Sequence, residues 1–303
     1  MAIDGRLIGE IAGSAPSWER SFECLGLVDS AVPGTLTFLD EKRYLRQLAA
    51  NPNIAGAIVT ADLADPLAAE RPEVAVHVSE DPRWDYFSIH NHVAERDREE
   101  RPSEVSPAAV VHPTAFVSEV NVSIGPGTRI GPNVTILADV AIGRDCVIHP
   151  GTVIGGDGFE FKRTSKGILP VVHDGMVEIG DEVRIGANCT VDKGFRSRPT
   201  LIGARTKLDN LVHVAHSDVI GTDCLLTAGV QLSGSVRVGD RVWLSVNVSV
   251  APGLTIGDDA FVSIGAVVTR NVGHGEQVTG NFAIPHQQFL RVFRKSLRDS
   301  SEK

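Results

Sequence analysis

Aromatic residues are scarce in this sequence, at 5% of its 303 residues, and its four cysteines, Cys24, Cys146, Cys189 and Cys224, stand far apart with no CxxC pair. That spacing supplies neither a disulfide framework nor a zinc knuckle, so the thiols are read as reduced and mostly buried. No apolar run of about 18 residues occurs, which argues against a membrane-spanning helix and leaves at most peripheral membrane contact. The opening MAIDGRLIGEIAG lacks the basic start and continuous apolar stretch of a secretory signal, so a cytoplasmic location is the expectation. Positive charge is also short. A formal net charge of -9 disfavours nucleic acid as a partner, because phosphate binding needs a concentrated basic surface.

What the chain has instead is glycine, 30 residues of it, and a strict six-residue rhythm. Branched aliphatic residues recur as Ile124, Ile130, Ile136, Ile142, Ile148 and Ile154. The rhythm resumes at Ile179, Ile185 and Val191, then runs unbroken from Ile202 through Leu208, Val214, Ile220, Leu226, Leu232, Val238, Leu244, Val250, Ile256 and Val262 to Val268. A period of six fits neither an α-helix nor a simple amphipathic strand. It fits a three-sided prism whose short flat faces each place one aliphatic side chain inside, with glycine, Asn or Asp turning the corners. Three faces make a coil of about 18 residues, and coils stack at roughly the 4.8 Å strand spacing, so about seven coils are expected. Glycine follows the inward residue at Gly125, Gly131, Gly143, Gly155, Gly180, Gly186, Gly203, Gly221, Gly239 and Gly257.

The rhythm breaks twice. Between Ile154 and Ile179 lies GGDGFEFKRTSKGILPVVHDGMVE, too bulky for the prism interior and expected to be an external loop. Between Val191 and Ile202, DKGFRSRPTL is out of register, with a corner bulge and a projected functional segment as the two readings. Residues 1–100 lack the period, and GTLTFLDEKRYLRQL followed by AGAIVT reads as strand, helix, strand, hence a small α/β domain. The charged stretch AERDREERPSEVSP, about residues 94–107, is expected to be a linker, with the prism spanning 106–280. In the tail, 285–303, Phe289, Phe293 and Leu297 fall on one face of a helix with Arg291, Arg294, Lys295 and Arg298 elsewhere. That helix either stabilises an oligomer or docks an acidic partner.

For chemistry, KLDNLVHVAHSDVIG offers His213 and His216 close to the inward Val214, with Asp209 seven positions before His216. A histidine on an outer face can serve as a general base for acyl transfer, although a solenoid-surface histidine is more often without a role. Two histidines also raise the idea of a metal site, but a third ligand is missing nearby and none is expected.

The succession GGDGFEF, VEIGDEVRIGANCTVDKG and TLIGARTKLDNLVHVAHSDVIG resembles the DGF loop, IGANTTIDRG segment and KIDNxVxIAHN segment of the UDP-3-O-acylglucosamine N-acyltransferases of lipid A synthesis. The resemblance covers nearly the whole chain and implies a mainly β fold, a left-handed parallel β-helix with a small N-terminal α/β domain and a C-terminal helix. It also implies a homotrimer, a nucleotide-activated amino-sugar as acceptor, and an acyl thioester on acyl carrier protein or coenzyme A as donor, with no tightly bound cofactor. By the same resemblance His216 is the general base, and Gly234, one coil of 18 residues later, presents its N–H to the oxyanion. Asp209 either orients the histidine or caps a corner. Asp157, Phe159, Asp192 and His213 are further candidate substrate contacts, and Phe38 and Tyr44 match an aromatic pair that sandwiches uracil.

The sequence departs from that family at two points. Glu41 and Lys42 stand where the family has Asn-Pro after the nucleotide-binding strand, replacing an amide with an acceptor-only carboxylate. Gly253 stands where a second active-site histidine is expected, and the surrounding stretch looks more like acetyl-CoA-dependent hexapeptide enzymes. The alternative function is therefore acylation of a sugar nucleotide from a short acyl-CoA for surface polysaccharide.

Overall fold

A computed structural model describes residues 3–13, 16, 18–280, 285–288, 290–292 and 294. Its larger part is a three-sided parallel β-helix whose faces carry 8, 9 and 8 strands. The first face runs from Glu104–Val105 to Thr255–Ile256 and the second from Val110–Val111 to Gln277–Val278; the third runs from Phe116–Val117 to Val267–Val268. Successive coils pair in register, as in Ile124 with Ile142 and Ile142 with Ile179. The prism begins earlier than the run from Ile124 suggests. Glu104–Val105 already pairs with the strand at Ser123 and Ile124, so part of the expected linker is strand, its first residues, 94–96, close the helix Pro82–Arg96, and only 97–103 connect the two.

Each face buries two side chains rather than one. Beside the six-residue aliphatic ladder, the residue two positions earlier also points inward, as Val134, Cys146, Cys189, Val212, Cys224 and Val230 do. Three of the four cysteines therefore fill corners of the core, and their thiols donate to carbonyls of the next coil: Cys146 to Gly180 (3.1 Å), Cys189 to Asp209 (3.1 Å) and Cys224 to Gly239 (3.0 Å). Burial raises all three thiol pKa values, which keeps them protonated donors.

The corner glycines act differently from expectation. Most left-handed corner positions are taken by Asn, Asp and other L-residues such as Asn133, Asp145 and Asn188. Glycine after the inward residue of the first face is needed for close coil stacking instead. A Cβ on Gly125 would lie 2.7 Å from the carbonyl carbon of Gly143, and one on Gly203 would lie 2.5 Å from that of Gly221.

The N-terminal part builds a parallel sheet from Cys24–Leu25, Thr35–Leu39, Ile54–Val59 and Ala75–Val78, with helices Leu45–Ala50, Ala61–Glu70 and Pro82–Arg96. Alternating apolar positions make Leu36 and Ile58 face Tyr86 and Phe87 of the last helix, and this cluster continues into Val171 and Phe195 of the two period breaks. The first break is a two-stranded hairpin, Phe161–Thr164 with Gly167–Pro170. It is fastened to the last helix: Asn91 donates to Pro170 O (2.8 Å) and accepts from Val172 N (2.9 Å), and His90 Nε2 lies 2.8 Å from Val172 O. The second break is a tight turn closed by paired bonds between Phe195 and Arg198 (3.0 and 2.8 Å). Phe289, Phe293 and Leu297 lie outside the described residues, while 286–288, 290–292 and 294 are helical. Among the described residues no helix is long and apolar enough to cross a membrane.

Candidate active site

The two period breaks, the helix Pro82–Arg96 and the third face of the prism enclose a cleft of about 1600 Å³. Coil periodicity decides what lies on its floor. The in-register pairs His213 with Gln231 and Leu232 with Val250 stack His216, Gly234 and Pro252 at one corner in successive coils, all three lining the cleft. A buried carboxylate locks this corner: Asp218 accepts from Ala215 N (2.9 Å) and Val236 N (2.8 Å), with its pKa raised by burial. Ser217 N donates to Thr200 Oγ1 (2.9 Å).

Between these corners the backbone ladder runs from Ser235 N to His216 O (3.0 Å) and from Gly253 N to Gly234 O (3.1 Å). The N–H of Gly234 takes no part in it, and Pro252, which has no N–H, fills the equivalent place one coil on. A spare donor beside an imidazole is what a developing oxyanion needs. The glycine also leaves room for the ring, since a Cβ there would lie 2.5 Å from His216 Nε2.

His216 is mostly buried, stands edge-on to His173 (centroids 5.4 Å apart) and Phe195 (5.8 Å), and has Nε2 3.3 Å from Glu160 Oε2. Burial lowers its pKa below the ordinary imidazole value; Glu160 opposes that, while Arg198 and Lys162 add to it. His173, stacked on Phe195, is pushed down to about 4 by burial and by His216. Glycine is required above the base as well, because a Cβ on Gly158 would stand 2.7 Å from His216 Cδ2 and 3.0 Å from His173 Nε2.

Several expected residues converge here. His213 places Nδ1 2.7 Å from Thr190 Oγ1 and Nε2 3.9 Å from Asp192 Oδ2. Asp192 is pushed up to about 7 by burial and by Asp157. Asp157 pairs with Lys193 (3.2 Å), and Phe159, 86% exposed, projects beside Phe161 with centroids 4.8 Å apart.

Others do not converge. Asp209 follows a strand of the second face, because seven residues is one prism side rather than a whole coil. It is exposed, its carboxylate accepts from Asn210 N (2.8 Å), and it does not line the cleft of its own chain. The carboxylate against His216 is Glu160, missed in the sequence although it sits inside the quoted GGDGFEF. Phe38 and Tyr44 are not in ring contact: Phe38 packs on Tyr86 and Phe87 (4.9 and 5.5 Å), and Tyr44 lies under the Arg43 guanidinium (4.7 Å). Neither lines the cleft. Glu41 pairs with Arg43 (2.8 Å) and Arg83 (3.5 Å), which also holds Asp40 (2.8 Å). Gly253 lines the cleft with a positive φ of 72° and nothing within 4 Å of where a side chain would begin.

Two family models match this chain, the bacterial transferase hexapeptide (six repeats) over residues 121–156 and the hexapeptide repeat of succinyl-transferase over 176–204 and 235–270. The UDP-3-O-acylglucosamine N-acyltransferase of Bordetella pertussis is 32% identical, over 88% of this chain and 83% of the relative. The protein of the same name from Herminiimonas arsenicoxydans is 31% identical, over 93% and 86%. A shorter match, 45% identical to the protein of that name in Methylorubrum extorquens, spans 36% of this chain and 30% of the relative. Among solved structures, Francisella novicida UDP-N-acetylglucosamine acyltransferase is similar at 28% identity over 58% of this chain and 66% of that one, with a TM-score of 0.41.

The stacked hexapeptide coils thus define an acyltransferase of the hexapeptide-repeat class. Within that class the chain belongs to the UDP-3-O-acylglucosamine N-acyltransferase family.

Proposed function

We propose that this protein transfers a 3-hydroxyacyl group from acyl carrier protein to the amine of a UDP-3-O-acylglucosamine, a step of lipid A synthesis. The observation that carries this reading is the stacking of His216 against Gly234 at one corner of the prism, within a cleft of about 1600 Å³. His216 Nε2 accepts the amine proton as nitrogen attacks the thioester carbonyl, and the Gly234 N–H holds the oxyanion. The C–S bond then breaks, and the carrier thiolate takes the proton back from His216. Every step uses side chains or backbone already at the corner.

Three chains would form three such sites between neighbouring prisms. On this reading Asp209, exposed at the adjacent corner on the coil level of His216, serves the site of a neighbouring copy. Asp157, Phe159, Asp192 and His213 bind the acceptor along the wall of the cleft.

A second reading, acylation of another amino-sugar nucleotide from a short acyl-CoA, is favoured by two observations: the ion pairs that occupy Glu41 and the empty corner at Gly253. A thiol-release assay separates the two. Purified protein is given UDP-3-O-(3-hydroxyacyl)glucosamine with 3-hydroxyacyl carrier protein or acetyl-CoA in parallel. Release with the carrier protein alone supports the first reading; release only with acetyl-CoA and a different amino-sugar nucleotide replaces it with the second.

A further inference from the structure

Glu160 has no part in the mechanism above, yet its carboxylate lies against the proposed base. Its Oε2 lies 3.3 Å from His216 Nε2, while its Oε1 is held by the ammonium of Lys162. Lys162 is in turn seated over the Phe87 ring at 4.6 Å, on the helix that fastens the hairpin. The carboxylate is therefore fixed from behind, with one oxygen directed at the imidazole nitrogen that faces the cleft. The other ring nitrogen, Nδ1, is buried without a hydrogen-bond partner.

A neutral imidazole ready to accept a proton at Nε2 presents a lone pair there, and so does Glu160 Oε2. Two acceptors at 3.3 Å are mutually unfavourable unless something that donates to both lies against them. An alkyl ammonium does this with two of its three N–H bonds, and an amino-sugar arrives largely in that form near neutral pH. A hydroxyl has one proton and no charge, so it satisfies at most one of the two acceptors.

Resting on the acyl-transfer reading, we infer that Glu160 is the docking group for the acceptor's ammonium, holding it beside His216 and selecting an amine over a hydroxyl acceptor. The proton balance is complete without a further reagent. The ammonium, held against Glu160, loses its first proton to water. The neutral amine then forms the C–N bond while His216 takes the second proton, the C–S bond breaks, and that proton leaves on the carrier thiol. One amide, one thiol and one proton in solution result.

The test uses the full-length protein with UDP-3-O-(3-hydroxyacyl)glucosamine and its counterpart carrying a 2-hydroxyl in place of the amine, and 3-hydroxyacyl carrier protein as donor. E160Q, which keeps the shape but loses the charge, is expected to raise the acceptor KM about 10-fold or more, the scale of one lost charge-assisted hydrogen bond, with donor KM and melting temperature unchanged. A merely structural role would move those two as well. In titrations without donor, the wild-type protein is expected to bind the amine at least about 10-fold more tightly than the hydroxyl compound, a measurement that needs no variant. Wild-type turnover together with an unchanged acceptor KM in E160Q, or equal binding of the two compounds, overturns this inference alone. Absence of wild-type turnover overturns the acyl-transfer reading and this inference with it.

Discussion

A side chain on Gly234 would begin 2.5 Å from Nε2 and from Cε1 of His216, so the proposed base and the proposed oxyanion donor are in contact across one coil boundary. Gly234 has no positive φ, and its backbone is open to any residue. Gly234→Ala therefore acts by displacing the imidazole rather than by straining the chain. Turnover is expected to fall by about 10- to 100-fold with little change in melting temperature; steady-state kinetics beside a thermal melt check this, and full activity in the alanine variant would remove Gly234 from the site.

His216→Ala is expected to cost about 100-fold or more in turnover. The ring lies on the outside of the prism and contributes nothing to the aliphatic ladder, so circular dichroism and the cooperative melt should be preserved. Near-normal turnover would move the base elsewhere.

The pH profile follows from the groups around the ring. The base works when neutral, and burial with Arg198, Lys162 and His213 lowers its pKa below 6.5 against the opposing pull of Glu160. The acid limb of kcat/KM is therefore expected below pH 6.5, with activity lost as pH falls through the His216 pKa. Removing the carboxylate in Glu160→Gln should move that limb further down, which a rate profile over mildly acidic buffers would record.

Asp192 makes a separate prediction about stability. Its folded pKa of about 7 stands above the ordinary carboxylate value of 3.8, so between these values the folded protein holds a proton that the unfolded chain has lost. Its contribution to stability is present below the unfolded value and is lost as pH rises towards 7. Asp192→Asn keeps the uncharged shape, so the variant should gain on the wild type from about pH 4 upwards and level off above pH 7. The gain should be no more than a few kcal/mol. Urea unfolding at several pH values tests it, and a difference independent of pH would show that burial of the charge is not the cause.

Gly158→Ala probes the loop that roofs the base. The added methyl would press on His216 Cδ2 at 2.7 Å and on His173 Nε2 at 3.0 Å, against rings already packed on Phe195. The loop is expected to lift, giving faster amide hydrogen exchange over residues 157–161 and at least about a 10-fold loss of turnover.

The six-residue rhythm determined the prism by itself. A strand face two residues long can bury an aliphatic side chain every sixth position only if the chain turns at each corner, and that constraint is local. The same arithmetic agrees with the place the family resemblance gives Gly234 over His216, since 18 residues return the chain to the same corner. The second inward position was also present, at Val134, Cys146 and Val212, but its mixed Val, Cys and Thr identities hid the period.

Only the tertiary structure decided which groups surround the base. The hairpin leaves the prism, and its return path is set by contacts with the distant helix Pro82–Arg96, so no spacing could bring Glu160 to His216. Asp209 is nearer to His216 in the chain, seven positions away, but the prism turns a corner between them and faces the two apart. Within a coil, position is periodic and legible from the chain; across the inserted hairpin it depends on packing between segments some eighty residues apart, which sequence spacing does not encode.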